Sequence, residues 1–206
     1  MDIAEPLRKL GAVDVNALRD AILAQDEIAW QEEQVREKSY EVHEQTRSIV
    51  LVFTDGSGWP AIEVRKEPGW SRLADVAFPV MHDIIERCYN PGGTIIRAMA
   101  AKLLAGGKIR PHRDSHPSFH YGHRIHVPIT TNPRVRFNIE GRPYQFEVGQ
   151  AYEINNQKNH SVANKGTEDR ITFIFDYVPA DVIDRASKDA ASRSANRNAA
   201  IEPQRR

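Results

Sequence analysis

Five of the eight histidines of this 206-residue chain lie in one short stretch, "KIRPHRDSHPSFHYGHRIHVPI", residues 108–129. The first of them, His112, is followed two residues later by Asp114 in "HRD". In an extended segment, residues i and i+2 point to the same face, so these two side chains can direct an imidazole and a carboxylate at one point. The next three histidines are interpreted as solvated loop residues near the mouth of a site: His116, His120 and His123.

A metal ion at this point needs a further ligand from elsewhere in the chain. His160 is the only histidine after the stretch, and it lies in the predicted loop "NNQKNHSVANKGTED" before the last strand. A barrel fold can bring that loop beside the earlier strand end. We therefore predict His112, Asp114 and His160 as metal ligands and as the catalytic centre. Two histidines and one carboxylate on one face of a metal are typical of non-haem iron(II) oxygenases.

Three further residues are predicted to bind a co-substrate. Oxygenases of this kind commonly use 2-oxoglutarate, which chelates the metal through one carboxylate and its keto oxygen. Its far carboxylate needs a fixed cation, and the planar fork of arginine suits a carboxylate. Arg170 opens the last predicted strand, ten residues after His160. Arg124 and His126 alternate on "HRIHVPI" and therefore face one side of that strand, where they can line the same pocket.

Composition excludes several other classes of protein. A chain of 206 residues is enough for one domain with a sizeable core. The formal net charge is zero, so no strong field attracts nucleic acid or an anionic membrane. The apolar runs are too short for a membrane span, and the acidic N-terminus is unlike a signal peptide. The single cysteine, Cys88, suits a reducing compartment, so we predict a cytoplasmic location.

The spacing of apolar and turn-forming residues predicts a mainly β fold with flanking helices. Residues 14–40 are typical of a helix, and residues 79–90 predict a second helix with Pro79 in its first turn. The predicted strands are "RSIVLVF", "TIIRAMAAKLL", "HRIHVPI", "VRFNI", "YQFEV", "AYEI" and "RITFIFDYV". Short strands joined by hairpin turns at this spacing favour an antiparallel barrel or jelly roll.

The order of the candidate residues resembles the aspartyl/asparaginyl β-hydroxylase family of iron(II)- and 2-oxoglutarate-dependent dioxygenases. The resemblance covers about residues 45–178 and is carried by "IRPHRD", "HRIHVPI" and "NHSVANKGTEDRITFIFD". It implies a double-stranded β-helix, a cupin-like barrel. It implies three iron ligands: His112, Asp114 and His160. It also implies three contacts to 2-oxoglutarate: Arg124, His126 and Arg170.

Two positions differ from the vertebrate members, which have glycine in place of Asp114 and serine near the position of Ala101. The "HRD" triplet is similar instead to a bacterial branch that includes cis-4-hydroxylases of free proline. The resemblance implies hydroxylation of an unactivated C–H bond in an amino acid of the Asp, Asn or Pro type, free or within a peptide. It implies iron(II), 2-oxoglutarate and dioxygen as cofactors. From charge and apolar content we predict no nucleic-acid or membrane partner, and the oligomeric state stays open.

Three regions follow from these patterns. We predict that residues 1–45 form a helical segment that packs on the barrel and that residues 46–179 form the double-stranded β-helix. Residues 180–206 have little apolar content and no periodicity, so we predict a frayed helix followed by a disordered tail.

A cupin-type metal-dependent isomerase or small-ligand binding module is the alternative. "GQAYEINNQKNHSVAN" has the spacing of the second cupin motif, although Asn155 and Gln157 replace its usual proline and glycine. The first cupin motif needs two close histidines and a glutamate, which "HRD" does not supply. A cupin site would be indifferent to 2-oxoglutarate. A non-catalytic metal-binding or interaction barrel, the third interpretation, would tolerate the loss of Arg170.

Overall fold

The computed structural model describes residues 1–32, 45–54, 60, 62–115 and 117–201. Its strands are β1 (Leu7–Ala12), β2 (Thr46–Phe53), β3 (Arg65–Lys66), β4 (Thr94–Leu103), β5 (Lys108–His112), β6 (His123–Thr130), β7 (Val135–Ile139), β8 (Arg142–Tyr144), β9 (Gln150–Ile154), β10 (His160–Asn164) and β11 (Arg170–Val178). Its helices are α1 (Asn16–Leu23), α2 (Glu27–Gln31), α3 (Gly69–Cys88) and α4 (Ala180–Ile201), with a 3-10 turn at Pro117–His120.

The strands form two antiparallel sheets. The large sheet has the order β1-β9-β6-β11-β4-β2-β3, and the small sheet has the order β5-β10-β7-β8. Strand β11 lies between β4 and β6, and all nine of its residues are buried. A strand is buried in this way when both faces of its sheet are covered. The prediction of a mainly β, antiparallel fold with flanking helices is confirmed.

Two apolar layers cover the two faces of the large sheet. On the outer face, Phe173 and Phe175 pack with Ile84 of α3 and with residues of α1 and α2. On the inner face, side chains of both sheets meet, among them Phe137 and Val162 of the small sheet. Because side chains alternate along a strand, Ile174, which stands between these two phenylalanines, points inward toward the small sheet, as does Arg170 four residues before it.

The N-terminal part of the chain contains a strand as well as helices. Strand β1 pairs antiparallel with β9, and the pairing has a bulge between Lys9 and Gly11, where Gly11 takes a φ of 100°. This strand was not predicted, because it is short and lacks an alternating apolar pattern. Helices α1 and α2 lie within the predicted helical segment, and the rest of that segment after residue 32 lies outside the described residues.

Helix α3 begins ten residues earlier than predicted, at Gly69. The prediction that Pro79 lies in its first turn is wrong. Pro79 lies inside the helix on an exposed side, where the carbonyl that it leaves unbonded can be solvated. At its start the helix lies against β2, since a Cβ at Gly69 would stand 2.4 Å from the carbonyl oxygen of Val50.

Two other predicted segments differ from the structure. His160 opens strand β10 and does not lie in a loop. The predicted strand "YQFEV" ends at Tyr144, because the chain then leaves the sheet edge and Phe146 stacks on Tyr152 with ring centroids 4.4 Å apart. The C-terminal segment is helical to Ile201, and residues 202–206 lie outside the described part.

None of the described helices combines the length and apolar character needed to cross a membrane.

Candidate metal centre

Two strands of the small sheet bring the predicted ligands together. Strands β5 and β10 pair antiparallel, and His112 lies directly opposite His160 in their register. The two imidazole centroids are 4.4 Å apart. Asp114 follows β5, and one ligand atom from each of the three residues lies within 4.8 Å of the others. His112 and His160, which are 48 positions apart in the sequence, thus meet beside Asp114, and two imidazoles and one carboxylate point to one place.

Backbone carbonyls fix the orientation of both imidazoles. His112 Nδ1 lies 2.8 Å from the carbonyl oxygen of Arg110, and His160 Nδ1 lies 3.0 Å from that of Lys158. A carbonyl oxygen only accepts, so each Nδ1 donates its proton and each Nε2 carries the lone pair that can bind a metal. Burial lowers the pKa of His160, against the opposing charge of Asp114, and this favours the neutral ligand form.

Arg124 holds the carboxylate of Asp114 in its orientation. Arg124 Nη1 donates to Asp114 Oδ2 over 2.8 Å, while Asp114 Oδ1 lies 3.8 Å from His112 Nε2. The backbone N–H of Asp114 donates to the carbonyl of Asn156, over 3.2 Å, in the loop before β10. One carboxylate oxygen is therefore bound to arginine, and the other faces the histidines.

Arg124 belongs to a buried ion-pair network that sequence reasoning missed. Its Nε and Nη2 donate to the two carboxylate oxygens of Asp176, each over 2.8 Å. Arg97 Nη1 donates to the same carboxylate over 3.4 Å. Both guanidinium groups lie over the ring of Phe119, at 4.4 Å from its centroid for Arg97 and 4.3 Å for Arg124. The sequence contains a signal for this network, because "TIIRAM" and "FIFDYV" each place one charged residue inside an otherwise apolar strand. Such residues pair when they are buried.

The charges of this network explain its pKa shifts. Burial raises the pKa of the Asp176 carboxyl, but the positive charges of Arg124 and Arg97 outweigh burial and lower it overall. Burial lowers the pKa of Arg124, and the carboxylates of Asp114 and Asp176 outweigh that effect and raise it. These shifts favour the charged forms of Asp176 and Arg124, so the two partners depend on one another.

The structure places all six predicted residues around one central pocket between the sheets: His112, Asp114, Arg124, His126, His160 and Arg170. His126 is buried and meets Phe137 edge-on, with ring centroids 5.6 Å apart. Arg124 and His126 face this pocket as their alternation predicted, while Ile125 and Val127 belong to the outer apolar layer. Leu103, Ile109 and Val162 give the pocket apolar walls.

Arg170 differs from the other buried arginines. Its side chain is 4% exposed, and burial alone lowers its pKa to about 10. Among the described residues, none forms a hydrogen bond or an ion pair with its guanidinium group. A buried cation without an anion is unfavourable, so this position is suited to a negatively charged ligand.

His120 is exposed in the 3-10 turn, and His116 lies outside the described residues. The interpretation of His123 as a loop residue is wrong. His123 opens β6, and its Nδ1 lies 2.5 Å from the buried carboxylate of Glu153.

Comparison of the sequence with known families identifies the class of protein. The model of the aspartyl/asparaginyl β-hydroxylase family matches residues 15–179, well over half of the chain. A comparison with curated proteins finds no match.

Solved structures with the same fold include oxygenases. A prolyl hydroxylase from Trichoplax adhaerens, in complex with a hypoxia-inducible factor peptide, has a TM-score of 0.55 at 12% identity, covering 89% of this chain and 88% of that one. A 2OG-Fe(II) oxygenase family oxidoreductase from Burkholderia pseudomallei has a TM-score of 0.50 at 12% identity, covering 66% and 69%. A viral collagen prolyl hydroxylase from Paramecium bursaria Chlorella virus-1 has a TM-score of 0.50 at 8% identity, covering 86% and 97%.

At these identities the structural likeness establishes the fold alone, a double-stranded β-helix. The family match goes further, and the chain belongs to the aspartyl/asparaginyl β-hydroxylase family. It is an enzyme of the iron(II)- and 2-oxoglutarate-dependent dioxygenase class, with iron(II), 2-oxoglutarate and dioxygen as its cofactors. The family match decides against the cupin-type isomerase and the non-catalytic barrel.

Proposed function

We propose that His112, Asp114 and His160 bind the catalytic iron(II) and that Arg170 binds the far carboxylate of 2-oxoglutarate. One observation carries the proposal: the three ligand groups converge within 4.8 Å at a pocket that also holds Arg170, a buried arginine that has no ion-pair partner within the described part of the chain. The donor set fits iron(II), because two neutral imidazoles and one carboxylate suit this metal and leave positions open. When bound, iron with 2-oxoglutarate and dioxygen supplies the oxidising power for C–H hydroxylation.

The other residues of the pocket hold this arrangement in place. The carbonyls of Arg110 and Lys158 keep the histidine Nε2 atoms directed at the metal position. Nε, Nη1 and Nη2 of Arg124 each donate to a carboxylate, so we assign Arg124 to positioning Asp114. Two N–H groups of its five remain, and the contact of Arg124 with 2-oxoglutarate stays a prediction. His126, on the same face as Arg124, remains a proposed contact of 2-oxoglutarate, and the apolar walls exclude water from the pocket.

The proposed reaction is hydroxylation of an unactivated C–H bond in an amino acid of the Asp, Asn or Pro type, free or within a peptide. The description of the family supports an aspartyl or asparaginyl substrate. Two structural relatives are prolyl hydroxylases, one of them solved with a peptide fragment, which supports a prolyl substrate. The assay that separates these substrates is 2-oxoglutarate turnover to succinate with each free amino acid and with matching peptides.

An anaerobic titration tests the site itself. Iron(II) and then 2-oxoglutarate are added to the metal-free protein, and the weak visible charge-transfer band of the chelate is recorded. Asp114→Ala and His160→Ala should lose iron binding and the band. Arg170→Ala should bind iron normally but require far more 2-oxoglutarate. His120→Ala is the matched control, because this exposed histidine lies in the same stretch and should leave the band unchanged. Full band intensity in Asp114→Ala would contradict the ligand assignment.

A further inference from the structure

Asn155 is a completely buried asparagine in the loop that joins β9 to β10. Its side-chain Nδ2 donates to Asp2 Oδ1 and to the carbonyl oxygen of Ile3, each over 2.7 Å. Its backbone N–H donates to the carbonyl oxygen of Pro6 over 3.0 Å. Asn155 therefore holds the N-terminal segment, residues 1–6, against this loop.

The other polar groups of Asn155 fix the loop itself. Its Oδ1 accepts a hydrogen bond from the backbone N–H of Gln157, and its carbonyl oxygen accepts one from that of Lys158, each over 3.1 Å. The carbonyl oxygen of Lys158 in turn accepts the hydrogen bond from His160 Nδ1. His160, a proposed iron ligand, is thus connected to Asn155 through two hydrogen bonds.

The next residue, Asn156, connects the same loop to a second proposed ligand. Its carbonyl oxygen accepts from the backbone N–H of Asp114 over 3.2 Å, and its Nδ2 donates to the carbonyl oxygen of Phe119 over 3.1 Å. The ring of Phe119 lies against Arg124, which binds the carboxylate of Asp114. The loop therefore supports Asp114 directly at its backbone and, through Phe119 and Arg124, at its carboxylate.

We propose that Asn155 is a positioning residue of the metal centre and that it couples the docking of the N-terminal segment to the binding of iron(II). The inference rests on the proposed iron site. Coupling between two sites is reciprocal, so iron(II) should stabilise the docked segment by the factor by which the docked segment strengthens iron binding. A proline at position 155, as in the second cupin motif, would lack both the N–H and the side-chain amide that make these contacts.

The iron affinities of Asn155→Ala and Asn164→Ala test the positioning role. Asn164 is the matched control, because it is also completely buried and its Oδ1 also accepts from the backbone N–H two residues later, that of Gly166. It lies at the opposite end of β10 from His160. Both substitutions should lower the melting temperature of the metal-free protein. In anaerobic calorimetric titrations, only Asn155→Ala should bind iron(II) about tenfold more weakly than the wild type.

Two substitutions in the N-terminal segment test the coupling. Asp2→Ala removes an acceptor of Asn155, whereas Glu5→Ala removes the same charge from a residue that has no hydrogen bond or ion pair within the described part of the chain. Both side chains are exposed, so both variants should fold. Asp2→Ala should bind iron(II) about threefold more weakly, the effect of one ordinary hydrogen bond, and Glu5→Ala should bind it normally. Asp2→Asn keeps an acceptor oxygen and should restore wild-type affinity.

Hydrogen exchange followed by mass spectrometry measures the reciprocal effect. The amide proton of Asn155 is bonded to Pro6, so its exchange reports the docking of the N-terminal segment. Iron(II) should slow this exchange in the wild type and in Glu5→Ala, and should slow it less in Asp2→Ala.

Wild-type iron affinity in Asn155→Ala would overturn the positioning role. An equal loss of iron affinity in Asn155→Ala and Asn164→Ala would also overturn it, because general destabilisation would then explain the loss. Equal iron affinities of Asp2→Ala and Glu5→Ala would overturn the coupling. In each of these outcomes the wild type binds iron and the proposed function stands, whereas a wild type that does not bind iron(II) would overturn both.

Discussion

Replacing Arg124 with alanine should lower the free energy of unfolding of the metal-free protein by about 3–5 kcal/mol, the cost of removing one partner from a buried ion pair. Arg124 makes three hydrogen bonds to carboxylates, each 2.8 Å long. Without it, Asp176 remains 1% exposed and keeps Arg97 as its remaining arginine partner, at 3.4 Å. For a chain of this size the loss corresponds to a melting temperature about 6–20 °C lower.

Urea denaturation of wild type and variant gives this number from the midpoints, provided that the slopes agree. Arg185→Ala is the control, because Arg185 pairs with Asp181 over the same 2.8 Å but its side chain is 72% exposed. That substitution should leave the midpoint nearly unchanged, since water screens an exposed pair. A similar, small effect of both substitutions would refute the assignment of Arg124 to a buried network.

The iron affinity of Arg124 variants distinguishes a role of Arg124 in positioning Asp114 from a role in the stability of the fold. Loss of a residue that orients a metal ligand typically weakens metal binding about 10- to 100-fold. Arg124→Lys keeps the charge but lacks the planar fork that contacts Asp114 and Asp176 together, so iron binding should stay weakened. Wild-type iron affinity in folded Arg124→Lys would show that Asp114 needs no such support.

Three further predictions concern stability. Burial raises the pKa of the Glu153 carboxyl, but the contacts with His123, Arg8 and Tyr89 together outweigh burial and lower it below its ordinary 4.5. As the pH falls, the carboxyl therefore takes up its proton in the unfolded protein before it does so in the folded one, and stability is lost below about pH 4.5. The urea midpoint of Glu153→Gln should depend less on pH than that of the wild type between about pH 5 and about pH 3. Gly69→Ala should lower the free energy of unfolding, measured by urea denaturation, by about 2–3 kcal/mol, because the new Cβ would stand 2.4 Å from the carbonyl oxygen of Val50. Gly122→Ala is the control and should be close to neutral, since the nearest contact of its Cβ would be 3.5 Å. Iron(II) at about 100 times its Kd should raise the free energy of unfolding by about 2.7 kcal/mol, and a chelator should remove this gain; an unchanged melting temperature with iron would contradict a folded-state metal site.

The strands that carry the site could largely be predicted from local patterns. Strands β7 and β11 have the predicted bounds, and β6 ends one residue later than predicted, because turn residues and alternating side chains are local signals. The same alternation placed Arg124 and His126 on one face. The spacing of His112 and Asp114 indicated a shared direction without any tertiary information.

Other features depend on contacts between distant segments. Strand β1 forms only because β9 offers an edge, and His160 lies on a strand because β10 pairs with both β5 and β7. A short polar segment such as "HSVAN" has no strong preference of its own, so its neighbours decide its conformation. These elements were missed for that reason.

By itself, the sequence determined the chemistry of the site: which side chains can bind a metal, which arginine is able to hold a carboxylate, and which family the chain resembles. Only the tertiary structure decided how these groups are used. Register between β5 and β10 places His112 opposite His160, and burial pairs Arg124 with both Asp114 and Asp176. Residue types and spacing are local properties, whereas register, burial and ion pairing depend on parts of the chain that meet only when it folds.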